Sequence, residues 1–140
     1  MHPFHALLAV FAVAAVLALV LLIRWERRRF HRMGKGGAWL RVRLATIPIA
    51  LATAALIVIP ARSTSGMEGL AVFYILLITV APAFWFCAHW LVGRFARPPL
   101  AFGESAQIAG SPIALGIVLG VVAHALQPIA WQMLRSMGMA

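Results

Sequence analysis

The chain alternates between long apolar stretches and short polar connections. Four stretches approach the length that a helix needs to cross a bilayer, and they run over residues 6–23, 44–59, 70–92 and 106–126. None of them has Asp, Glu, Lys or Arg in its central part. Because a backbone in lipid must satisfy its own polar groups, this pattern predicts an all-α integral membrane protein with four transmembrane helices arranged as two hairpins.

Glycine and proline predict where these helices end or bend. We expect the first helix to continue through Arg32 and to break at Met33–Gly37, since glycine favours non-helical backbone. Pro60 is expected to end the second span. Pro82 lies near the centre of the third span and removes the donor for the carbonyl of Ile78, which predicts a kink.

Two further elements are predicted around the fourth span. Pro112 lies near its start and Pro128 follows its end. We expect a short amphipathic tail over residues 129–137 to lie along the membrane surface.

The basic residues are concentrated in two connections. Eight of the twelve lie between the first and second spans and two lie between the third and fourth: Arg24, Arg27, Arg28, Arg29, Arg32, Lys35, Arg41, Arg43, Arg94 and Arg97. Short loops rich in Lys and Arg stay on the cytoplasmic side of a membrane. The sequence therefore predicts that both termini are periplasmic. Arginine outnumbers lysine eleven to one, as expected for a GC-rich bacterial genome, so we expect the membrane to be the inner membrane of a bacterium.

Composition supports one polytopic membrane domain over residues 1–140. The chain is 64% apolar with a mean hydropathy of +0.96, and charged residues make up 11%. A soluble domain of this length cannot hide that much apolar surface. The net charge of +9 does not indicate nucleic acid, because the basic residues flank the spans. We expect them to contact anionic lipid headgroups, through Arg24, Arg27, Arg28, Arg29 and Arg32.

The absence of ionisable residues from the centres of the spans argues against ion-coupled transport. Pumps and proton-coupled carriers need an ionisable residue at membrane depth, and the spans have none at their centres. In span number and approximate length the chain is similar to the small multidrug exporters. That family has an essential Glu in its first span, whereas residues 6–23 contain no acid. The sequence therefore argues against proton-coupled export by this chain alone.

One face of the fourth span is predicted to pack closely against another helix. Pro112, Gly116, Gly120 and His124 recur every four residues and share that face. A GxxxG pair lets two backbones approach closely in lipid. Packing within the chain, contact with another subunit, and a ligand-accommodating groove are the three interpretations.

The histidines raise the possibility of a haem or metal site. His89 is expected near the inner end of the third span and His124 near the outer end of the fourth, so the two cannot share one iron. The simplest interpretation is that these histidines form structural hydrogen bonds. One alternative is a haem that is also ligated by a partner's histidine, and another is a metal site formed by His2, His5 and His124. We expect the isolated chain to bind no cofactor and no metal tightly.

Aromatic residues surround His89. His89, Trp85 and Trp90 are candidate contacts for a quinone head group, whose carbonyls accept hydrogen bonds. The alternative interpretation is an interfacial aromatic belt that anchors the helix.

With no cluster of catalytic residues, the sequence favours a non-enzymatic function. We expect a small inner-membrane subunit whose partners are other integral membrane subunits, with an energy-transducing complex as one candidate. The alternatives are a membrane anchor that contributes a haem ligand or quinone pocket, and a small homo-oligomeric channel or carrier.

Overall fold

The protein is helical throughout the part of the chain that the structure describes. The computed structural model describes residues 3–136, and the side chains of all of these except residues 3–7, 131, 133 and 134. Five helices and no strands occur in this range, and they are α1 (Pro3–Arg32), α2 (Gly36–Ser63), α3 (Gly66–Ile78), α4 (Val80–Phe95) and α5 (Phe102–Ser136).

Four helical segments are long and apolar enough to cross a membrane, as the sequence predicted. Among the described residues they are Leu8–Arg32, Gly36–Ser63, Gly66–Phe95 and Phe102–Ala130, so α3 and α4 together form one of them. These four apolar helices are those of a multi-pass membrane protein.

The third segment is interrupted in its middle. Thr79 separates α3 from α4 and has φ −108° and ψ −68°. Its backbone N–H and its hydroxyl both donate to the carbonyl of Ile75, at 3.0 and 2.6 Å. Since Pro82 has no N–H to offer the carbonyl of Ile78, the ladder is broken at this point. The helix is therefore interrupted in the turn that precedes Pro82, where the sequence predicted a kink.

Two predicted helix ends were wrong. Pro60 does not end the second helix, because α2 continues to Ser63. Pro128 does not separate a surface tail from the fourth span, because α5 continues through it to Ser136. In each case the proline removes one hydrogen bond but leaves the remaining helical bonds in place.

The turn between α1 and α2 has the glycine chemistry that the sequence predicted. α1 ends at Arg32, and Gly34 follows with φ +70°, a conformation that favours glycine. The N–H of Gly34 donates to the carbonyl of His31 at 3.0 Å. The N–H of Lys35 donates to the carbonyl of Phe30 at 2.9 Å. These bonds satisfy the last carbonyls of α1 and reverse the chain within four residues.

The contacts divide the described chain into two units. Residues Glu26–Gly110 form the first unit, which contains the end of α1, all of α2, α3 and α4, and the start of α5. Within it α2 packs against α3 and α4. Its apolar core lies beside the α1–α2 turn and consists of Phe30, Ala38, Trp39, Val42, Ala96, Leu100 and Ile108.

The second unit contains the remaining parts of α1 and α5, up to Trp25 and from Ser111 onward. Its described apolar side chains are largely exposed, among them Val13, Leu17, Ile117 and Val121. Exposed aliphatic side chains along a helix of this hydropathy are suited to contact with lipid or with another apolar helix.

Candidate functional site

A buried carboxylate ties the end of α1 to the start of α2. Glu26 is fully buried, and its Oε2 atom accepts hydrogen bonds from three N–H groups. The indole Nε1 of Trp39 donates at 3.1 Å, and Arg43 donates from Nε at 3.0 Å and from one terminal nitrogen at 2.5 Å. Burial would make this charge costly, and the guanidinium offsets that cost by pairing with it.

A second ion pair ties the α1–α2 turn to the start of α5. The Nζ atom of Lys35 lies 2.7 Å from both carboxylate oxygens of Glu104. Oε2 of Glu104 also accepts the backbone N–H of Ala101 at 2.7 Å. Glu104 therefore reaches back to cap α5, as a glutamate at the third helical position often does. One carboxylate thus fixes both the start of α5 and the position of the turn.

His89 on α4 is enclosed by the chain itself. It is fully buried, and its two ring nitrogens both lie within hydrogen-bond distance of protein oxygens. Nε2 lies 3.1 Å from the hydroxyl of Thr46 on α2, and Nδ1 lies 2.8 Å from the carbonyl of Trp85. Trp85 in turn donates its Nε1–H to the carbonyl of Ala109 on α5, at 2.8 Å. This chain of polar contacts links α2, α4 and α5.

The start of α5 approaches α4 through a glycine. A Cβ atom at Gly93 would lie well under 3.0 Å from the Oγ atom of Ser105. Ser105 is fully buried, and its hydroxyl makes no hydrogen bond within the described residues. The two helices can meet at this distance only because Gly93 has no side chain.

The predicted quinone contacts lie on two sides of α4. His89 and Trp85 are one helical turn apart and face α2 and α5. Trp90 is 38% exposed and lies on a different side of α4, since it directly follows His89 in the helix. Both ring nitrogens of His89 lie within hydrogen-bond distance of protein oxygens. Contact of these residues with a quinone stays a prediction.

The predicted packing face of the fourth span is open within the chain. A Cβ atom at Gly116 or Gly120 would meet no atom within 4 Å, and both glycines are exposed. Pro112 is half-buried and His124 is exposed. Contact with another molecule stays a prediction.

Within the described residues, no group of three His, Cys, Asp or Glu side chains could hold a metal ion. His124 borders an open groove on α5 together with Gln127, Gln132 and Arg135. The predicted alternative metal site joined His124 to His2 and His5. His2 lies outside the described residues, and the side chain of His5 is not described.

The arginines predicted to contact lipid lie on the surface of α1. Arg24, Arg27, Arg28, Arg29 and Arg32 are all exposed. Arg29 places its positive charge near Glu104. Three more exposed basic residues lie near the α1–α2 and α4–α5 connections, and they are Arg41, Arg94 and Arg97.

Sequence reasoning missed the two ion pairs. Both join residues on separate helices or turns, and the periodicity of a single helix does not show which of these will meet. Trp39 is 5% exposed and donates its indole N–H to Glu26. One signal for these ion pairs was available in the sequence. The chain has three acids, and two of them, Glu26 and Glu104, lie in the two connections that hold most of the basic residues.

Comparisons with protein families, curated proteins and solved structures find no match for this chain.

Proposed function

We propose that this chain is a non-catalytic subunit of a larger complex in a bacterial inner membrane. It packs against other integral membrane subunits and stabilises the complex or helps to assemble it. The observation that carries the proposal is a contrast between polar and apolar side chains. The buried polar groups hold the chain's own helices together, whereas the most apolar stretches of the first and fourth candidate spans are not buried within the chain.

The two ion pairs and the contacts of His89 support a structural role. Glu26, Glu104 and His89 each bond groups on a different helix or turn of the same chain. A catalytic or ligand-binding group needs a free face toward its substrate. His89 would have to give up an existing partner to bind haem iron, which argues against the electron-carrier alternative.

The face of α5 at Gly116 and Gly120 is the favoured contact with a partner. Lipid chains are as apolar as leucine, so hydrophobicity alone does not drive helices together in a membrane. Small residues do favour association, because they let two backbones approach and gain dispersion contacts. Both glycines are exposed and their Cβ positions are open, so a partner helix has room to approach.

The orientation of the subunit follows from its charges. The α1–α2 and α4–α5 connections carry most of the basic residues and are placed in the cytoplasm. Both termini and the α2–α3 connection are then periplasmic, and the helices form two hairpins that open in the same direction.

The test is the size of the species that contains this chain after extraction. The tagged chain, expressed from its own locus, is extracted in a mild detergent and examined by native mass spectrometry. A much larger complex with other membrane proteins is expected. A free 15.2 kDa chain would contradict the proposal, and a homo-oligomer would support the channel alternative instead.

Matched variants test the contact surface. Gly116→Leu and Gly120→Leu should reduce the share of the chain in the complex, because a leucine at a close helix contact holds the backbones apart. Ala114→Leu is the control, since it adds bulk at an exposed position on the opposite side of α5. Equal association in all three variants would show that this face of α5 is not the contact surface.

A further inference from the structure

Three arginines at the end of α1 lie outside the buried side of the helix. Arg27, Arg28 and Arg32, here named the basic face, are all exposed. At 3.6 residues per turn Arg28 and Arg32 lie on the side of α1 away from Glu26 and Phe30, and Arg27 lies at the edge of that side, next to Phe30. Glu26 and Phe30 are fully buried. The end of α1 is therefore amphipathic, with its core side and its basic side on opposite faces.

The rotation of α1 is fixed by the contacts of its core side. Glu26 is bonded to Trp39 and Arg43, and Phe30 is enclosed in the apolar core. Arg29 lies toward Glu104. Since these residues cannot turn outward without breaking the buried pair, the basic face is held outward.

None of the three acids of the chain lies beside the basic face. Glu26 pairs with Arg43 and Glu104 pairs with Lys35, both on the core side. The third acid, Glu68, is in the first turn of α3. The face thus presents three guanidinium groups of one sign directly after the apolar part of α1.

We propose that the basic face binds the phosphate of an anionic phospholipid headgroup. A guanidinium presents its N–H groups in a fork that bonds two phosphate oxygens at once. Arg28 and Arg32 are one turn apart, so both can contact the same headgroup region. The ligand is a lipid, because the face follows the apolar helix within one turn and so lies where the headgroups of the bilayer begin.

The test measures lipid binding by the purified, delipidated full-length chain. Phosphatidylglycerol is titrated in mild detergent and the bound states are counted by native mass spectrometry. Phosphatidylcholine with the same acyl chains is the zwitterionic comparison. The wild type should bind phosphatidylglycerol at least tenfold more tightly. Equal affinity for the two lipids would overturn the proposal.

Two triple variants with equal charge loss locate the site. Arg27→Gln, Arg28→Gln and Arg32→Gln together should weaken phosphatidylglycerol binding about 100-fold, since each basic residue near an anionic surface contributes roughly a factor of five. The matched control combines Arg41→Gln, Arg94→Gln and Arg97→Gln, which are exposed but lie off α1. A similar loss in both variants would mean that net charge alone attracts the lipid, and would overturn the assignment.

Two further arms complete the test. Replacing the three arginines with lysine keeps the charge that sets membrane orientation and removes the forked hydrogen bonds, so binding should weaken about tenfold. Unchanged affinity in the lysine variant would refute bidentate phosphate binding. Soluble glycerol phosphate should not compete at the lipid's own concentration, and equal competition would identify a site for free phosphate instead of a lipid.

Discussion

Arg43 on α2 and Glu26 on α1 form an ion pair in which the carboxylate is fully buried and the guanidinium is 14% exposed. The pair lies beside the apolar core of the Glu26–Gly110 unit, where Trp39 donates to the same carboxylate oxygen. Charges in such surroundings interact strongly because little solvent screens them. This ion pair fixes the end of α1 against the start of α2 on either side of the turn that joins them.

Replacing Glu26 with Gln should destabilise the protein by about 3 kcal/mol, because it leaves Arg43 largely buried without its counter-charge. The measurement is the apparent Tm in detergent, followed by tryptophan fluorescence. Glu68→Gln is the control, since Glu68 is exposed and its loss should change stability by less than about 0.5 kcal/mol.

A double variant distinguishes the loss of the charge interaction from the loss of side-chain packing. Glu26→Gln combined with Arg43→Met removes both charges and should recover a large part of the lost stability. A double variant as unstable as the sum of the two single variants would mean that the charges do not interact.

Breaking the ion pair between Lys35 and Glu104 should have a smaller effect. Their side chains are 28% and 21% exposed, so solvent screens the attraction. Lys35→Gln should cost less than about 1 kcal/mol, and the loss should shrink at high salt. Glu104→Gln should cost slightly more, because the Ala101 cap is also weakened. Melting curves at low and high salt check both; a Lys35→Gln loss that does not change with salt would contradict an electrostatic origin.

Gly93→Ala should destabilise the chain by about 1–3 kcal/mol, since the new methyl group overlaps Ser105. Gly110→Ala is a matched control, because its Cβ would meet Phe86 at an ordinary 3.8 Å. Ser105→Ala alone should be close to neutral, since it removes a buried hydroxyl without a hydrogen bond. Added to Gly93→Ala it should relieve part of the clash. Equal Tm values for Gly93→Ala and Gly110→Ala would show that α4 and α5 are not in close contact at Gly93.

Reporter fusions test the proposed orientation. A reporter active only in the cytoplasm should be active after Gly36 and inactive after Ser65 and at the C-terminus. The reason is the concentration of arginines in the α1–α2 connection. A cytoplasmic result after Ser65 would overturn the whole arrangement, including the two hairpins.

Part of the site was visible in the sequence and part was not. The GxxxG spacing identified Gly116 and Gly120 as sharing a helix face, because that relationship is local and depends only on 3.6 residues per turn. Whether another helix covers that face is a tertiary property, and the structure leaves it open within the chain. The three aromatic and histidine residues on α4 looked like one cluster because they are close in sequence. Helical rotation instead separates Trp90 from His89 and Trp85.

The sequence by itself determined that the chain is helical and apolar enough to cross a membrane four times, because lipid imposes that solution on long uncharged apolar runs. It also determined the glycine turn after Arg32 and the break caused by Pro82, which are properties of the local backbone. The tertiary structure alone decided that Glu26 pairs with Arg43 and Glu104 with Lys35. These partners are far apart along the chain, and their pairing depends on how α1, α2 and α5 meet around one apolar core.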